Sequence, residues 1–233
     1  MRIDLPALRK AYATLRKHQS LLEASATDLH VDSGVIRAAI AAIGHVTEAE
    51  FRDNGNARRV VMYSQLEINA IAFASRCHNG QVRKYTGEPY INHPGAVADI
   101  VRSVHHDDEM LAASWLHDTV EDCGVSIADI SRRFGVYVAA LVESLTDVSK
   151  PEDGNRATRK RIDREHIGES ACAQAMTIKL ADLIDNSSSI LAHDPEFAKV
   201  YLEEKRLLLG VLKQGDATLW ARANDIVTRG QAK

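Results

Sequence analysis

The stretch WLHDTVED, Trp115 to Asp122, places one imidazole and three carboxylates within six residues, beside Trp115, Leu116 and Val120. At the roughly 100° per residue of a helix, His117, Asp118, Glu121 and Asp122 share an arc of roughly 140°. Leu116, Val120, Ala112 and Ala113 fall opposite, where a stripe facing the core belongs. Carboxylates crowded on one face repel unless solvent or a cation neutralises them. The chemistry on offer is a bound metal ion with acid–base groups one turn away; the plainer alternative is a solvated face.

Two further stretches carry matching residue types. In KLADLIDN, residues 179–186, Lys179, Asp182, Asp185, Asn186 and Ser189 align on one helical face, with Leu180, Leu183, Ile184 and Leu191 on the other. In RKYTGEPYINHP, residues 83–94, His93 stands before Pro94, at what reads as a helix start. Each alone fits an ordinary amphipathic helix or helix-start histidine. Together, two histidines and two aspartates with no thiolate form a nitrogen and oxygen donor set. That set suits Mn²⁺, with Fe²⁺, Co²⁺, Ni²⁺ or Zn²⁺ as alternatives.

The elements that must position these residues read as helices throughout, an all-α chain with no persistent strand alternation. Leu5, Leu8, Tyr12, Leu15 and Leu22 follow helical spacing, and a second helix is expected over residues 34–43. The polar stretch FRDNGNARR, residues 51–59, reads as a linker. Ser64 and Glu67 form a capping-box signature, and Pro94 suits a first helical residue before Val97, Ile100, Val101 and Val104. One helix is expected over residues 107–122, and Ser126 is expected to cap the next, which ends near Phe134 and Gly135. Helices over residues 136–145, 156–164, 171–191, 195–213 and 217–228 complete the reading, with residues 147–155 a loop.

Composition narrows the classes. The chain has 233 residues, 45% hydrophobic and 26% charged, with a net charge of −3, which gives no electrostatic case for nucleic acid or an anionic membrane. No apolar run approaches the roughly 18 residues of a membrane span, and MRIDLPALRK lacks a signal-peptide core. Cys77, Cys123 and Cys172 are odd in number and widely spaced, which argues for reduced thiols and a cytoplasmic location.

The order HNGQVRKYTGEPYINHPGAVADIV, LHDTVED, FGVYVAALVESLTD, IKLADLIDN resembles the HD-domain hydrolase of the RelA/SpoT homologue family, in particular the small alarmone hydrolases. The resemblance covers residues 64–191. It implies an HD-domain helical bundle over residues 61–233, with residues 1–60 as an N-terminal helical extension. It also implies hydrolysis of the 3′-pyrophosphate of (p)ppGpp to GDP or GTP and pyrophosphate, usually with Mn²⁺. At 233 residues the chain is expected to be too short to carry the synthetase domain of the family's long members as well, so the resemblance implies hydrolysis alone.

By motif, the resemblance implies His93, His117, Asp118 and Asp182 as metal ligands and Glu121 and Asp122 as the pair that activates water. Arg83 and Lys84 are implied to meet the base and phosphates, and Asn186 and Ser189 to lie near the nucleoside; Tyr90 is a candidate for its pocket or for the core. Leu183, Asp185 and Ser188 depart from the family pattern, where basic or aromatic residues are usual. The basic run Arg156, Arg159, Lys160, Arg161 and Arg164 reads as a solvated face or as replacement charge. His105, His106 and Asp107 read as a polar loop, and Cys77 as core. Two alternatives stay open: an HD hydrolase of another nucleotide such as (p)ppApp, and a non-catalytic nucleotide-sensing or protein-binding module. Residues 1–60 are open to packing on the bundle, to homo-oligomer formation, or to contact with a toxin-like synthetase.

Overall fold

The computed structural model describes residues 63–231, so the helices expected over 5–22 and 34–43, and the linker at 51–59, lie outside the described residues. The chain divides into two units, Met1–Arg76 and Cys77–Lys233. Of the first unit, the described part is Tyr63, Ser64 and the helix α1, Gln65–Cys77, whose last residue belongs to the second. Ser64 caps it as expected, its hydroxyl accepting from the Glu67 amide at 3.2 Å. Cys77 is half-buried at the helix end rather than sealed in a core.

The second unit continues as α2 (Asn92–Arg102), α3 (Asp108–Leu116), α4 (Thr119–Cys123), α5 (Ile127–Phe134), α6 (Val136–Leu145), α7 (Arg156–Ser170), α8 (Ala173–His193), α9 (Pro195–Leu209) and α10 (Ala217–Gln231). A 3₁₀ turn, Pro151–Asp153, sits within the expected 147–155 loop. Among the described residues the architecture is all-α, with one isolated antiparallel bridge, Val82 to Pro89. Helix α2 begins two residues before Pro94, so the proline lies inside the first turn, where its missing N–H costs nothing.

The helix α8 is the axis of the unit. It packs against α2, α3, α6, α9 and α10. Leu180, Leu183 and Ile184 are buried as expected. The α9–α10 connection comes so close that a Cβ on Gly215 would lie 2.8 Å from Leu180 Cδ1 and 3.1 Å from the backbone of Met176. The Asp216 amide there donates to Thr177 Oγ1 at 2.9 Å.

One expectation is corrected here. Residues 107–122 are not one helix. Asp107 caps α3 by accepting from the Met110 amide at 2.7 Å, and every residue from Met110 to Leu116 is buried. The helix then breaks at His117 and Asp118 before α4 starts. The cause is competition for the last carbonyls. His117 Nδ1 takes the Ser114 carbonyl at 2.8 Å, and the Thr119 hydroxyl donates to the Leu116 carbonyl at 2.7 Å. The His-Asp pair therefore sits on a turn between two helices, not on a continuous face. Gly124, at φ +68°, ends α4 in the left-handed conformation that favours glycine.

Candidate metal centre and active site

Three elements meet at one point. The α2 start contributes His93, the α3–α4 turn contributes His117 and Asp118, and the middle of α8 contributes Asp182. Ligand atoms of His93, His117 and Asp118 lie within 4.8 Å of one another. His93 Nε2 is 3.5 Å from Asp118 Oδ2 and 3.3 Å from Asp182 Oδ1. His117 Nε2 is 3.1 Å from Asp118 Oδ2 and 4.0 Å from Asp182 Oδ1. His93, His117 and Asp182 are all buried.

The far side of each ring is already engaged. His117 Nδ1, facing the Ser114 carbonyl, must carry a proton, which leaves Nε2 with a bare lone pair in the neutral ring. That Nε2 is buried and has no hydrogen-bond partner. His93 Nδ1 meets Asp185 Oδ2 at 2.7 Å, so the same logic points its Nε2 lone pair at two carboxylates. Lone pairs and carboxylate oxygens gathered this closely repel unless a positive charge sits among them. In the protein alone that charge is a proton. Burial works against the charged His93 ring, but Asp182 and Asp185 outweigh it and push the group up to about 9. His117 is raised against burial by Asp118. The two rings in turn hold Asp118 well below the ordinary carboxylate range, against the opposing pull of burial. Lys179, 3.2 Å from Asp182 Oδ2, does the same for Asp182. Two imidazoles and two carboxylates, with a carboxylate orienting one ring and a backbone carbonyl the other, fit a divalent cation.

Glu121 and Asp122 engage different neighbours. Both are open to solvent, yet ringed by protein. Glu121 Oε1 accepts from the Asp147 amide at 2.8 Å. The surrounding protein, ahead of the Asp147 charge, pushes the Glu121 carboxyl up to about 7. Asp122 is raised by burial and then by Asp118. Its backbone carbonyl accepts from Gln81 Nε2 at 3.4 Å. Tyr90 donates to Asp118 Oδ2 at 2.7 Å, so it lines the metal side of the site.

Of the expected substrate residues, Arg83 and Asn186 come together. Arg83 reaches Asn186 Oδ1 at 3.2 Å and Asp185 Oδ2 at 3.0 Å, and Asn186 Nδ2 donates to Asp182 Oδ1 at 2.6 Å. The short loop that carries Arg83 is closed by the Gly87 amide on the Arg83 carbonyl at 3.0 Å, with Gly87 at φ +69°. Lys84 turns outward instead, to Tyr85 Oη at 3.1 Å and Asp194 at 3.9 Å. Ser189 is half-buried at the next turn of α8.

Three residues were not singled out in the sequence for what they do here. Asp185 orients His93 and holds Arg83 at once; its spacing of three from Asp182 on an α8 face was the available signal. Lys179 was placed on that face, but its burial against Asp182 was not legible. Asp147, which holds Glu121 across 26 positions of chain, gave no signal at all.

Comparison with known proteins identifies the family. A model of the HD domain matches residues 70–207. A guanosine-3′,5′-bis(diphosphate) 3′-pyrophosphohydrolase of Vibrio cholerae is 38% identical over 128 residues, 53% of this chain and 18% of that protein. The enzyme of the same name from Drosophila melanogaster is 36% identical over 131 residues, 55% of this chain and 71% of that protein. The chain spans 14 to 25% of the length of three further relatives from Synechocystis, Streptomyces coelicolor and rice. A solved structure, described as a metazoan orthologue of SpoT that hydrolyzes ppGpp, superposes with a TM-score of 0.65 at 29% identity, covering 73% of this chain and 99% of that one. The chain belongs to the HD-domain family, in its RelA/SpoT homologue branch.

Proposed function

We propose that this protein is a metal-dependent hydrolase that removes the 3′-pyrophosphate of (p)ppGpp, yielding GDP or GTP and pyrophosphate. The observation that carries the reading is the buried Nε2 of His117 converging with His93 Nε2 on Asp118 and Asp182, in a fold whose relatives bear that activity in their names. His93, His117, Asp118 and Asp182 would hold the metal, for which Mn²⁺ suits the nitrogen and oxygen donors. A bound divalent cation lowers the pKa of water and offsets charge on phosphate oxygens.

The protein groups do the rest. Glu121, with its carboxyl near 7 and an amide fixing one oxygen, accepts the proton of the attacking water, and Asp122 helps to orient that water. The Arg83 guanidinium, held flat by Asp185 and Asn186, offers a stacking face to the base. Lys84 and Ser189 meet the nucleotide from the rim. Residues 61–233 make up the hydrolase domain, and residues 1–60 an extension for packing, self-association or contact with a synthetase. The working location is the cytoplasm; among the described residues no helix is long and apolar enough to cross a membrane.

A substrate panel with Mn²⁺ tests this reading. Stacking tolerates any base, and no side chain is assigned to the guanine edge. The adenosine analogue ppApp should therefore turn over within about two orders of magnitude of ppGpp, roughly 2.7 kcal/mol of preference. Refusal of ppGpp would overturn the activity; refusal of ppApp alone would overturn only the tolerant pocket.

A further inference from the structure

The segment that follows α6 gives its backbone donors to side chains. Thr146, the cap residue of α6, is extended at φ −71° and ψ 131°, so the chain leaves the helix there. The next three amides, of Asp147, Val148 and Ser149, have no backbone acceptor among the described residues. All three donate to carboxylates instead. Asp147 donates to Glu121 Oε1 at 2.8 Å, while Val148 and Ser149 both donate to Asp163 Oδ1, at 3.2 and 2.9 Å. The Ser149 hydroxyl adds a bond to Asp163 Oδ2 at 3.1 Å.

Asp163 is buried on α7, and these partners engage both of its oxygens. Lys160, one turn earlier, donates to Asp163 Oδ2 at 3.2 Å and also takes the Asp147 carboxylate. Asp147 is therefore held at two points, its side chain on Lys160 and its amide on Glu121. Lys160 also offsets the negative charge that Asp147 would otherwise set beside Glu121. A buried carboxylate is costly unless it is paired and hydrogen-bonded, and Asp163 is both. What it holds is loop, at the place where that loop meets Glu121. Glu121 itself is exposed on a helix of five residues, with rotamer freedom to lose. A single donor fixes its orientation only if that donor is itself fixed.

We propose that Asp163 is a positioning residue for the hydrolytic reaction. It clasps residues 147–149 so that the Asp147 amide holds Glu121 in the orientation that accepts the proton of water. Lys160 closes the same clasp on the Asp147 side chain. The inference rests on the hydrolase reading above, in which Glu121 is the general base.

The test uses the full chain loaded with Mn²⁺. Asp163→Ala should lower kcat for ppGpp by about tenfold to a hundredfold, the scale of loss for a misplaced catalytic group, with KM and metal content little changed. Asp163→Asn keeps one acceptor oxygen and should lose less. In a Glu121→Gln background, Asp163→Ala should cost nothing further, because the group it positions is already gone. Hydrogen exchange gives a readout apart from turnover. The Asp147 amide should exchange about tenfold to a hundredfold faster in Asp163→Ala, the loss expected when charge-assisted contacts go, while amides of α8 keep their protection. An unchanged kcat would overturn the inference. So would an equal loss in the Glu121→Gln background, or faster exchange spreading into α8, either of which would make Asp163 structural. Should Asp163→Ala fail to fold, Lys160→Met releases the Asp147 side chain alone and is read the same way. If the wild-type protein left ppGpp intact while Asp163→Ala still freed the Asp147 amide, the hydrolase reading would fail and the hold on Glu121 would stand.

Discussion

The helices α7 and α8 are adjacent in sequence and both rich in charge, but they use it in opposite ways. Along α7, Arg161 pairs with Glu165 one turn on at 2.7 Å, and both are about half exposed. Along α8, Lys179, Asp182, Asp185 and Asn186 are buried or half-buried, and each is engaged by another charged or amide group of the site. The first arrangement is local and screened by solvent. The second ties α8 to α2 and to the α3–α4 turn, so its charges act where water is largely excluded. What separates a functional charge from a solubilising one here is engagement with distant elements, not residue type. Lys160 and Asp163 make the point inside α7. They turn inward, and buried Asp163 accepts the amides of Val148 and Ser149 at 3.2 and 2.9 Å.

Substitutions on the two helices should diverge sharply. Asp182→Ala, like His117→Ala and Asp118→Ala, should abolish metal content and nearly all hydrolysis. Metal analysis of the purified variants decides this, and full occupancy in Asp182→Ala would remove that residue from the centre.

Glu121→Gln comes next. It should retain metal and substrate but lose about 10²- to 10⁴-fold in turnover, the usual cost of a missing general base. Its pH dependence has a definite sign. A carboxyl raised to about 7 is protonated below that value and cannot accept a proton. Wild-type turnover should therefore fall as pH drops through about 7, at a lower pH once a cation is bound nearby. The acid limb should be absent from the residual activity of Glu121→Gln.

Asp185→Asn should have an intermediate effect. It keeps the shape but loses the charge that orients His93, so metal affinity should weaken by about 10- to 100-fold. Equilibrium dialysis with Mn²⁺ would measure it, and an unchanged affinity would make Asp185 a partner of Arg83 alone. Smallest of all is Arg161→Ala on α7, expected to cost about 0.5 kcal/mol or less in a denaturant melt and nothing in turnover. A large loss of activity there would erase the contrast between the helices.

Most of this site was legible in the sequence, because its residue types and their order are restrictive. The fold class and most helices of the 63–231 region followed from apolar periodicity, and helix 136–145 from its apolar run. The break at His117 and Asp118 was not legible. The apolar stripe continues through it, and only the side-chain capture of two carbonyls ends α3. The turn that the Gly87 amide closes on the Arg83 carbonyl was not legible either; it leaves Arg83 on Asp185 and Asn186 and Lys84 exposed beside Tyr85.

The most direct single measurement is product analysis of ppGpp incubated with the protein and Mn²⁺, before and after EDTA, by anion-exchange chromatography. The account predicts GDP and pyrophosphate in equal amounts with metal present, and intact ppGpp once it is chelated. Release of orthophosphate, loss of the 5′-phosphates, or undiminished turnover in EDTA would contradict it.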